Sequence, residues 1–314
     1  MRPRVEPLAD ERGADVLAER LGLVEEVAEL RRRLDEWVLG CDPEVAGMVR
    51  FQIGRRANLI RPITLLACAR AAGAEPSREL RAATAVELFH NYGLVLDDIV
   101  DRDTRRAGHP TLHRRFGVLP ALMCSAYLAF AASEIITEDE YTARTFTQLG
   151  RRVAASECFG WALRHEAFGM ERWRRAADDH SGASFQASAR VGARDDRFAA
   201  YGRSLGLLYH GVSDVQDLRR TLAAEDSASA DPAARLLTLP GAIATGDPAT
   251  AALFADPEAA GEEELLARLA DALPEADRVL DGLAFEAVQE ARANAEDPDA
   301  LVRLVHHVRG LWQE

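Results

Sequence analysis

Residues 86–101, VELFHNYGLVLDDIVD, form an apolar segment with helical periodicity that ends in three aspartates. Asp97 and Asp101 are four residues apart and share one helix face, while Asp98 lies about 100° round the helix from Asp97. These carboxylates repel one another, and the helix dipole is also negative at this end. A hard divalent cation would relieve both effects. The stretch therefore predicts a helix and, at its end, a metal site.

The loop that follows the helix is rich in arginine. Arg105 and Arg106 place guanidinium groups, which suit phosphate oxygens, beside the acidic helix end. A second apolar helix ends in Asp214 and Asp217, three residues apart and on one face. Two such helix ends facing each other would enclose a metal-bound diphosphate.

The rest of the chain also has helical periodicity, and we predict one all-α domain spanning residues 1–314, with residues 1–14 loosely ordered. Two polar stretches, 102–117 and 219–231, are predicted as loops, and shorter helices follow from residue 232. The longer predicted helices cover residues 15–39, 59–72, 77–101, 118–136, 140–168, 171–192 and 196–218.

Composition excludes several classes of protein. The net charge of −13 argues against a nucleic-acid binder, and all 38 basic residues are arginine. The four cysteines are far apart, so we expect no zinc site and predict free thiols in a reducing, cytoplasmic compartment. The N-terminal residues lack the apolar core of a signal peptide. The uncharged run 118–133 is shorter than the ~20 residues of a membrane span and is predicted to be a buried helix.

The chain resembles the trans-polyprenyl diphosphate synthase family from about residue 51 to residue 240. The motifs that carry the resemblance are RP at 61–62, VELFH and DDIVD within 86–101, RRAGHPTLHRRFG at 105–117, GRSLGLLYHGVSDVQDL at 202–218 and LLTLP at 236–240. The resemblance implies an isoprenoid synthase fold with a helical bundle around a deep cavity, and usually a homodimer. It also implies that up to three Mg²⁺ ions bridge both aspartate motifs to an allylic prenyl diphosphate. By position, Asp97 and Asp101 would bind metal with Asp98 in support, and Arg106 would hold the diphosphate.

The sequence departs from the family where isopentenyl diphosphate, the second substrate, would bind. Arg61 and His90 remain at this site, but the family's lysine is replaced by Asn58 and its second loop arginine by Ala107. Replacement of lysine by arginine would keep the charge, and these two changes remove it. We therefore predict that the second diphosphate site is lost while the allylic site survives. In the second acidic motif, Ser213 replaces the first aspartate.

Other changes concern the cavity that the resemblance implies. In the family, bulky residues at the positions of Phe89 and Tyr92 floor the tunnel, which would limit the prenyl chain to about C10–C15. Four further residues differ from those that the family has at their positions and would add ring faces or hydrogen-bond donors to the cavity, and an aromatic face can stabilise a cation. These four are Trp161, His180, Tyr209 and His210.

Four functions agree with this pattern. The first is transfer of a prenyl cation to an acceptor other than isopentenyl diphosphate, which the surviving Arg61 and His90 favour. The second is a terpene cyclase acting on a C10–C20 prenyl diphosphate, which the cavity aromatics favour. Ordinary chain elongation and a non-catalytic partner subunit are the remaining two. The intact acidic cluster argues against the last.

Overall fold

The computed structural model describes residues 11–54, 58–106, 108–162, 166, 169–223, 238–255 and 262–310. Within these ranges the chain is almost entirely helical, as predicted. The helices of the first half are α1 (Glu11–Leu21), α2 (Val24–Leu39), α3 (Pro43–Ile53), α4 (Ile60–Ala71), α5 (Leu80–Val100), α6 (Leu112–Phe116) and α7 (Val118–Ile136). Those of the second half are α8 (Glu140–Ala162), α9 (Met170–Ala177), α10 (Ala183–Ala193), α11 (Ala199–Leu222), α12 (Leu239–Ala244), α13 (Pro248–Ala255), α14 (Glu262–Asp271), α15 (Leu273–Asn294) and α16 (Asp299–Gly310).

Helix α4 lies at the centre of the bundle. Residues 60–69 of α4 are all buried, as expected of a helix without a polar face. Helix α5 lies between α4 and α7, and α10 lies between α4 and α11. Helix α11 packs in turn against α15. One hydrophobic cluster runs through these helices and includes residues from α1 to α16, so the C-terminal end of α5 is fixed in a rigid frame.

A π-turn, Asp178–Gly182, joins α9 to α10 within the helix predicted over 171–192. Arg152 on α8 donates to Asp179 and to the carbonyl of Asp178, while Arg203 on α11 donates to the Asp178 carboxylate. Helix α11 approaches so closely that a Cβ atom at Gly206 would lie 2.4 Å from the carbonyl oxygen of Ser181. The π-turn is therefore held from two sides.

Helix α7 has the predicted boundaries, but the prediction that it is buried is wrong. Its inner face, which includes Cys124 and Leu128, packs on α5, whereas its outer face exposes Leu119, Met123 and Phe130. Among the described helices it is the one long and apolar enough to cross a membrane, and 33% of its most apolar window is buried.

Several other boundaries differ from the predictions. The segment predicted as one helix over 15–39 is broken at Gly22, where φ is +66°, and Ala14 is already buried within α1. The helix predicted over 77–101 begins at Leu80, because Pro76–Glu79 form a 3-10 turn. The predicted loop 102–117 contains a short hairpin, β1 (Arg105–Arg106) with β2 (His109–Pro110), and α6.

Two predicted regions extend beyond what the structure describes. Helix α11 continues to Leu222, into the second predicted loop, and residues 224–237 of that loop lie outside the described residues. Residues 1–10, and the end of the helix predicted over 140–168, also lie largely outside them.

Candidate active site

The acidic end of α5 is tied to the arginine-rich hairpin. The Asp98 side chain is buried, and Nε of Arg106 donates to its Oδ1 at 2.6 Å. Asp103 lies 3.7 Å from the same guanidinium, and Asp101 forms the C-cap of α5. Burial lowers the pKa of Arg106, but attraction to Asp98 and Asp97 outweighs burial and raises that pKa. About a third of the Arg106 side chain stays exposed, so it can also meet an anionic ligand.

Asp97 points to a different set of partners. Its Oδ2 lies 3.6 Å from Nε2 of His180 in the π-turn, and the same nitrogen lies 3.5 Å from Oε1 of Glu157 on α8. One ligand atom from each residue lies within 4.8 Å of the other two. The sequence predicted Asp97 as a metal ligand and His180 as a cavity residue, but it did not predict Glu157. The only signal for Glu157 in the sequence was an acid within an otherwise small and apolar run, AASECFGWA at 154–162.

The charges of this group reflect its burial. Burial raises the pKa of Asp97, but the charge and hydrogen bond of His180, together with the charges of Arg106 and Arg61, outweigh burial and lower that pKa. His180 shifts the opposite way, because attraction to Asp97 exceeds the effect of burial and raises its pKa. Burial, reinforced by the negative charge of Asp97, raises the pKa of Glu157 to about 7. The three side chains therefore change one another's pKa, and each remains partly exposed.

One carboxylate oxygen of Asp97 indicates whether a cation fits this site. Among the described residues, its Oδ1 atom is buried and has no hydrogen-bond partner. A buried carboxylate oxygen without a donor is costly unless a cation or another donor reaches it. The donor set at the end of α5, made of carboxylate oxygens, is one that Mg²⁺ accepts. The residues therefore fit the magnesium site that the sequence predicts.

The second acidic motif differs from its prediction. Oδ2 of Asp214 accepts hydrogen bonds from the indole Nε1 of Trp173 at 2.8 Å and from the backbone N–H of Leu239 at 2.7 Å. Asp217 accepts from Arg220, one turn further along α11. One oxygen of Asp214 thus holds α9 and the start of α12 against α11. Metal binding by Asp214 stays a prediction, and it would have to use Oδ1, because Oδ2 already accepts from two donors.

Arg61 is buried in the bundle beside the cavity. It is 6% exposed, its Nε donates to Oγ of Ser184 at 3.1 Å, and its Nη1 lies 3.2 Å from Nε2 of His90. Because a guanidinium only donates, His90 is the acceptor. Burial and the neighbouring charge of Arg61 lower the pKa of His90 far below its usual range, which agrees with a neutral ring. The Arg61 guanidinium also lies 5.1 Å from the ring centroid of Phe185 and 5.3 Å from that of Tyr209.

Asn58 and Tyr209 form a hydrogen-bonded pair near Arg61. The Asn58 side-chain amide donates to the Tyr209 hydroxyl at 3.1 Å, and its oxygen accepts from the backbone N–H of Ile60. Asn58 therefore contributes a neutral contact where the resemblance places a lysine. Ala107, at the other changed position, lies outside the described residues.

A cavity begins at Asp97 and continues between α4, α5, α8 and α10, with an empty volume of about 490 Å³ including its open mouth. Its walls are mainly apolar, with polar groups grouped on the α4 side and near the acids. The lining residues are Arg61, Val86, Phe89, His90, Gly93, Leu94, Asp97, Phe146, Leu149, Val153, His180, Ser184, Ala187 and Ser188.

Some of the predicted cavity residues line the cavity, and others do not. Phe89 and His180 line the cavity, and the Tyr92 ring contacts Phe89 with centroids 5.1 Å apart. His210 lies one layer behind His180, and its Nδ1 is 3.1 Å from Oγ of Ser181. The prediction is wrong for Trp161, which lies near the end of α8, is 52% exposed and does not line the cavity.

Arg105 occupies a different position from Arg106. It is exposed on β1, and its guanidinium donates to the carbonyl oxygen of Gly108 at 2.6 Å, within the hairpin. It therefore stabilises the hairpin that carries Arg106.

Comparison with known proteins identifies the family. Residues 43–259 match the polyprenyl synthetase family. Similar curated proteins include a geranylfarnesyl diphosphate synthase of Methanosarcina mazei, 29% identical over 59% of this chain and 66% of that protein. A (2E,6E)-farnesyl diphosphate synthase of Mycobacterium tuberculosis is 29% identical over 62% of this chain and 61% of its own length. The matched regions thus span slightly less than two thirds of these relatives.

Solved structures show the same fold. A decaprenyl diphosphate synthase from Rhodobacter capsulatus superposes with a TM-score of 0.85 at 21% identity, covering 96% of this chain and 100% of that one. A geranylgeranyl pyrophosphate synthetase from Pyrococcus horikoshii gives a TM-score of 0.81 at 23% identity, covering 93% and 98% of the two chains. At these identities the comparison establishes the all-helical fold.

Proposed function

Because the chain belongs to the polyprenyl synthetase family, we propose that it ionises an allylic prenyl diphosphate and transfers the prenyl cation to an acceptor other than isopentenyl diphosphate. Mg²⁺ at the acidic end of α5 would supply Lewis-acid stabilisation of the departing diphosphate. Asp97 and Asp101 are the ligands we propose for it, with Asp98 orienting Arg106.

The protein's own contribution to ionisation is electrostatic. Arg106 keeps its charge through its bond to Asp98, the neighbour of the cavity-lining Asp97, and its side chain remains partly exposed. A fixed positive group at this point stabilises the negative charge that develops on a leaving diphosphate, and preorganised groups of this kind often account for most of an enzyme's rate enhancement. The apolar walls below would bind the prenyl chain and exclude water.

The observation that carries the choice of acceptor is the Asn58–Tyr209 hydrogen bond beside a buried Arg61. Two nitrogens of Arg61 already donate to Ser184 and His90, and Asn58 brings no charge. An acceptor bound here would meet one guanidinium, a neutral imidazole and two ring faces. These groups suit a small acceptor that carries less charge than a diphosphate.

The experiment compares substrates directly. The protein is incubated with Mg²⁺ and dimethylallyl, geranyl, farnesyl or geranylgeranyl diphosphate, each with and without isopentenyl diphosphate, and diphosphate release and products are measured. Loss of two charge-assisted contacts, each worth roughly 1.5–3 kcal/mol, predicts binding of isopentenyl diphosphate at least ~100-fold weaker than in an enzyme that has both. We expect diphosphate release without an elongated product. Efficient elongation at micromolar isopentenyl diphosphate would contradict the proposal.

A cyclase is the second candidate, and the composition of the cavity favours it. Phe89 and Phe146 contact each other edge to face in the cavity wall, with ring centroids 5.7 Å apart. Ring faces can stabilise a carbocation that is attacked by its own double bonds. A cyclic hydrocarbon or alcohol formed from the donor alone would favour this candidate over transfer.

We further propose that the chain forms a homodimer through α7. The exposed side chains of Leu119, Met123 and Phe130 form an apolar face on a helix whose other face belongs to the core. Contiguous apolar surface of this kind marks an interaction site, and the resemblance favours a second copy of the chain.

The four cysteines are free thiols, which supports the proposed cytoplasmic location.

A further inference from the structure

We propose that Asp97, Glu157 and His180 form a mixed oxygen and nitrogen site that binds one divalent transition-metal ion before any diphosphate is present. The role of this ion in turnover rests on the proposed function, but its binding does not. Neither the acidic motifs nor the arginine-rich loop includes Glu157 or His180.

The distances suit a single ion. Metal–ligand distances of about 2.1 Å with tetrahedral angles place two ligand atoms about 3.4 Å apart. Nε2 of His180 lies 3.6 Å from the Asp97 oxygen and 3.5 Å from the Glu157 oxygen. The three ligand atoms also lie within 4.8 Å of one another. An ion therefore needs only a small adjustment of the side chains to contact all three.

The surroundings of the three residues support a ligand role. The buried Oδ1 of Asp97 has no hydrogen-bond partner among the described residues. A cation beside this carboxylate would offset the free-energy cost of burying that oxygen without a donor. The second nitrogen of His180, Nδ1, lies 3.4 Å from Oγ of Ser181, a neighbour that can orient the ring as outer partners of metal-binding histidines do. Arg152 fixes the π-turn that carries His180.

The ligand types decide the class of ion. Two carboxylates balance the charge of a divalent cation. Imidazole is a ligand for zinc, iron, cobalt and nickel, whereas Mg²⁺ prefers oxygen alone and keeps much of its water. The site should therefore favour ions such as Co²⁺ or Zn²⁺ over Mg²⁺.

This site would compensate for the changes in the second acidic motif. Ser213 brings no charge, and one oxygen of Asp214 is occupied by Trp173 and by a backbone N–H. The cation at the end of α5 would then take its remaining protein ligands from α8 and the π-turn rather than from α11.

The test uses Co²⁺ as the probe, because its visible absorption reports both binding and ligand geometry. The metal-free full-length protein is titrated with Co²⁺ without diphosphate, and competition by Zn²⁺ and Mg²⁺ is followed at the same wavelengths. We expect one Co²⁺ per chain, displaced by Zn²⁺ at far lower concentration than by Mg²⁺. His180→Asn and Glu157→Gln should each weaken Co²⁺ binding by at least ~10-fold, as removal of a direct ligand should cost no less than loss of an outer partner.

The matched control is His306→Asn, which removes an exposed histidine on α16 and should leave the titration unchanged. Circular dichroism and thermal unfolding check that each variant is folded. Absence of a bound Co²⁺ in the wild-type protein, or equal binding in folded His180→Asn, would overturn the inference.

A parallel assay of diphosphate release with Mg²⁺ separates this inference from the proposed function. Release without Co²⁺ binding overturns only the metal site. Co²⁺ binding that requires His180, without release from any donor, supports the metal site and overturns the proposed function.

Discussion

Replacing Glu87 with glutamine should make the protein more stable at neutral pH and remove part of its pH dependence. Glu87 lies on α5, 2% exposed, and its Oε1 accepts a hydrogen bond from the Asn91 amide at 2.9 Å. Its Oε2 is buried without a hydrogen-bond partner among the described residues. Burial raises the pKa of this carboxyl to about 7, although the charge of Arg61 and the Asn91 bond act in the opposite direction.

The magnitude follows from the two pKa values. The folded protein holds the proton more tightly than the unfolded chain, whose ordinary value is 4.5. Stability from this group is therefore fully present below pH 4.5 and is lost as the pH rises to about 7. At about 1.4 kcal/mol per pKa unit, the ionised carboxyl costs about 3 kcal/mol above pH 7. Glutamine resembles the neutral acid and avoids this cost.

The assay is urea unfolding of wild type and Glu87→Gln at several pH values. The variant should be more stable by about 3 kcal/mol at pH 8, by about 1 kcal/mol at pH 5, and nearly equal at pH 4. Glu19→Gln, which changes an exposed glutamate on α1, is the control and should show no such trend. A difference that stays constant from pH 4 to pH 8 would refute the reasoning, because it would mean that Glu87 is ionised at the same pH in both states.

Three further predictions concern the site and the surface. Asp97→Ala should lower the rate of diphosphate release at least ~10²-fold, because it removes a charge from the cation site. Near-normal turnover in a steady-state assay would contradict the proposed metal-dependent reaction. Replacing both Phe89 and Tyr92 with alanine opens volume in the cavity, so relative turnover should shift from C10 and C15 donors towards C20, and an unchanged preference would mean that these rings do not limit chain length. Leu119→Glu should turn the proposed dimer into a monomer in light scattering, and a wild-type protein that is already monomeric would exclude an α7 interface.

The helices could be predicted where periodicity and composition change together. Helix α7 has the predicted boundaries because an apolar run begins directly after Gly117 and ends in polar residues. Its burial could not be predicted, since an apolar face looks the same in sequence whether it meets the core or a partner. The break at Gly22 and the π-turn were missed because helical periodicity continues on both sides of each.

The candidate site shows the same limit. Asp97, Asp98 and Arg106 are close in sequence, so local spacing was enough to bring them together. Glu157 and His180 reach Asp97 only because α8 and the π-turn pack beside the end of α5, and no local pattern encodes that contact. The hydrogen bond from Trp173 to Asp214 could not be predicted for the same reason, because the two residues are 41 positions apart in the sequence.

The π-turn at Asp178–Gly182 also sets the direction of the side chains on either side of it. A helix with hydrogen bonds five residues apart accommodates one residue more than an α-helix over the same path. Without that residue, α9 and α10 would form one uninterrupted helix, and the side chains on one side of the turn would be rotated by about 100° relative to those on the other. The extra residue in this turn therefore sets which way the side chains around it face, so that the His180 imidazole meets Asp97 while α10 still packs on α4 and α11.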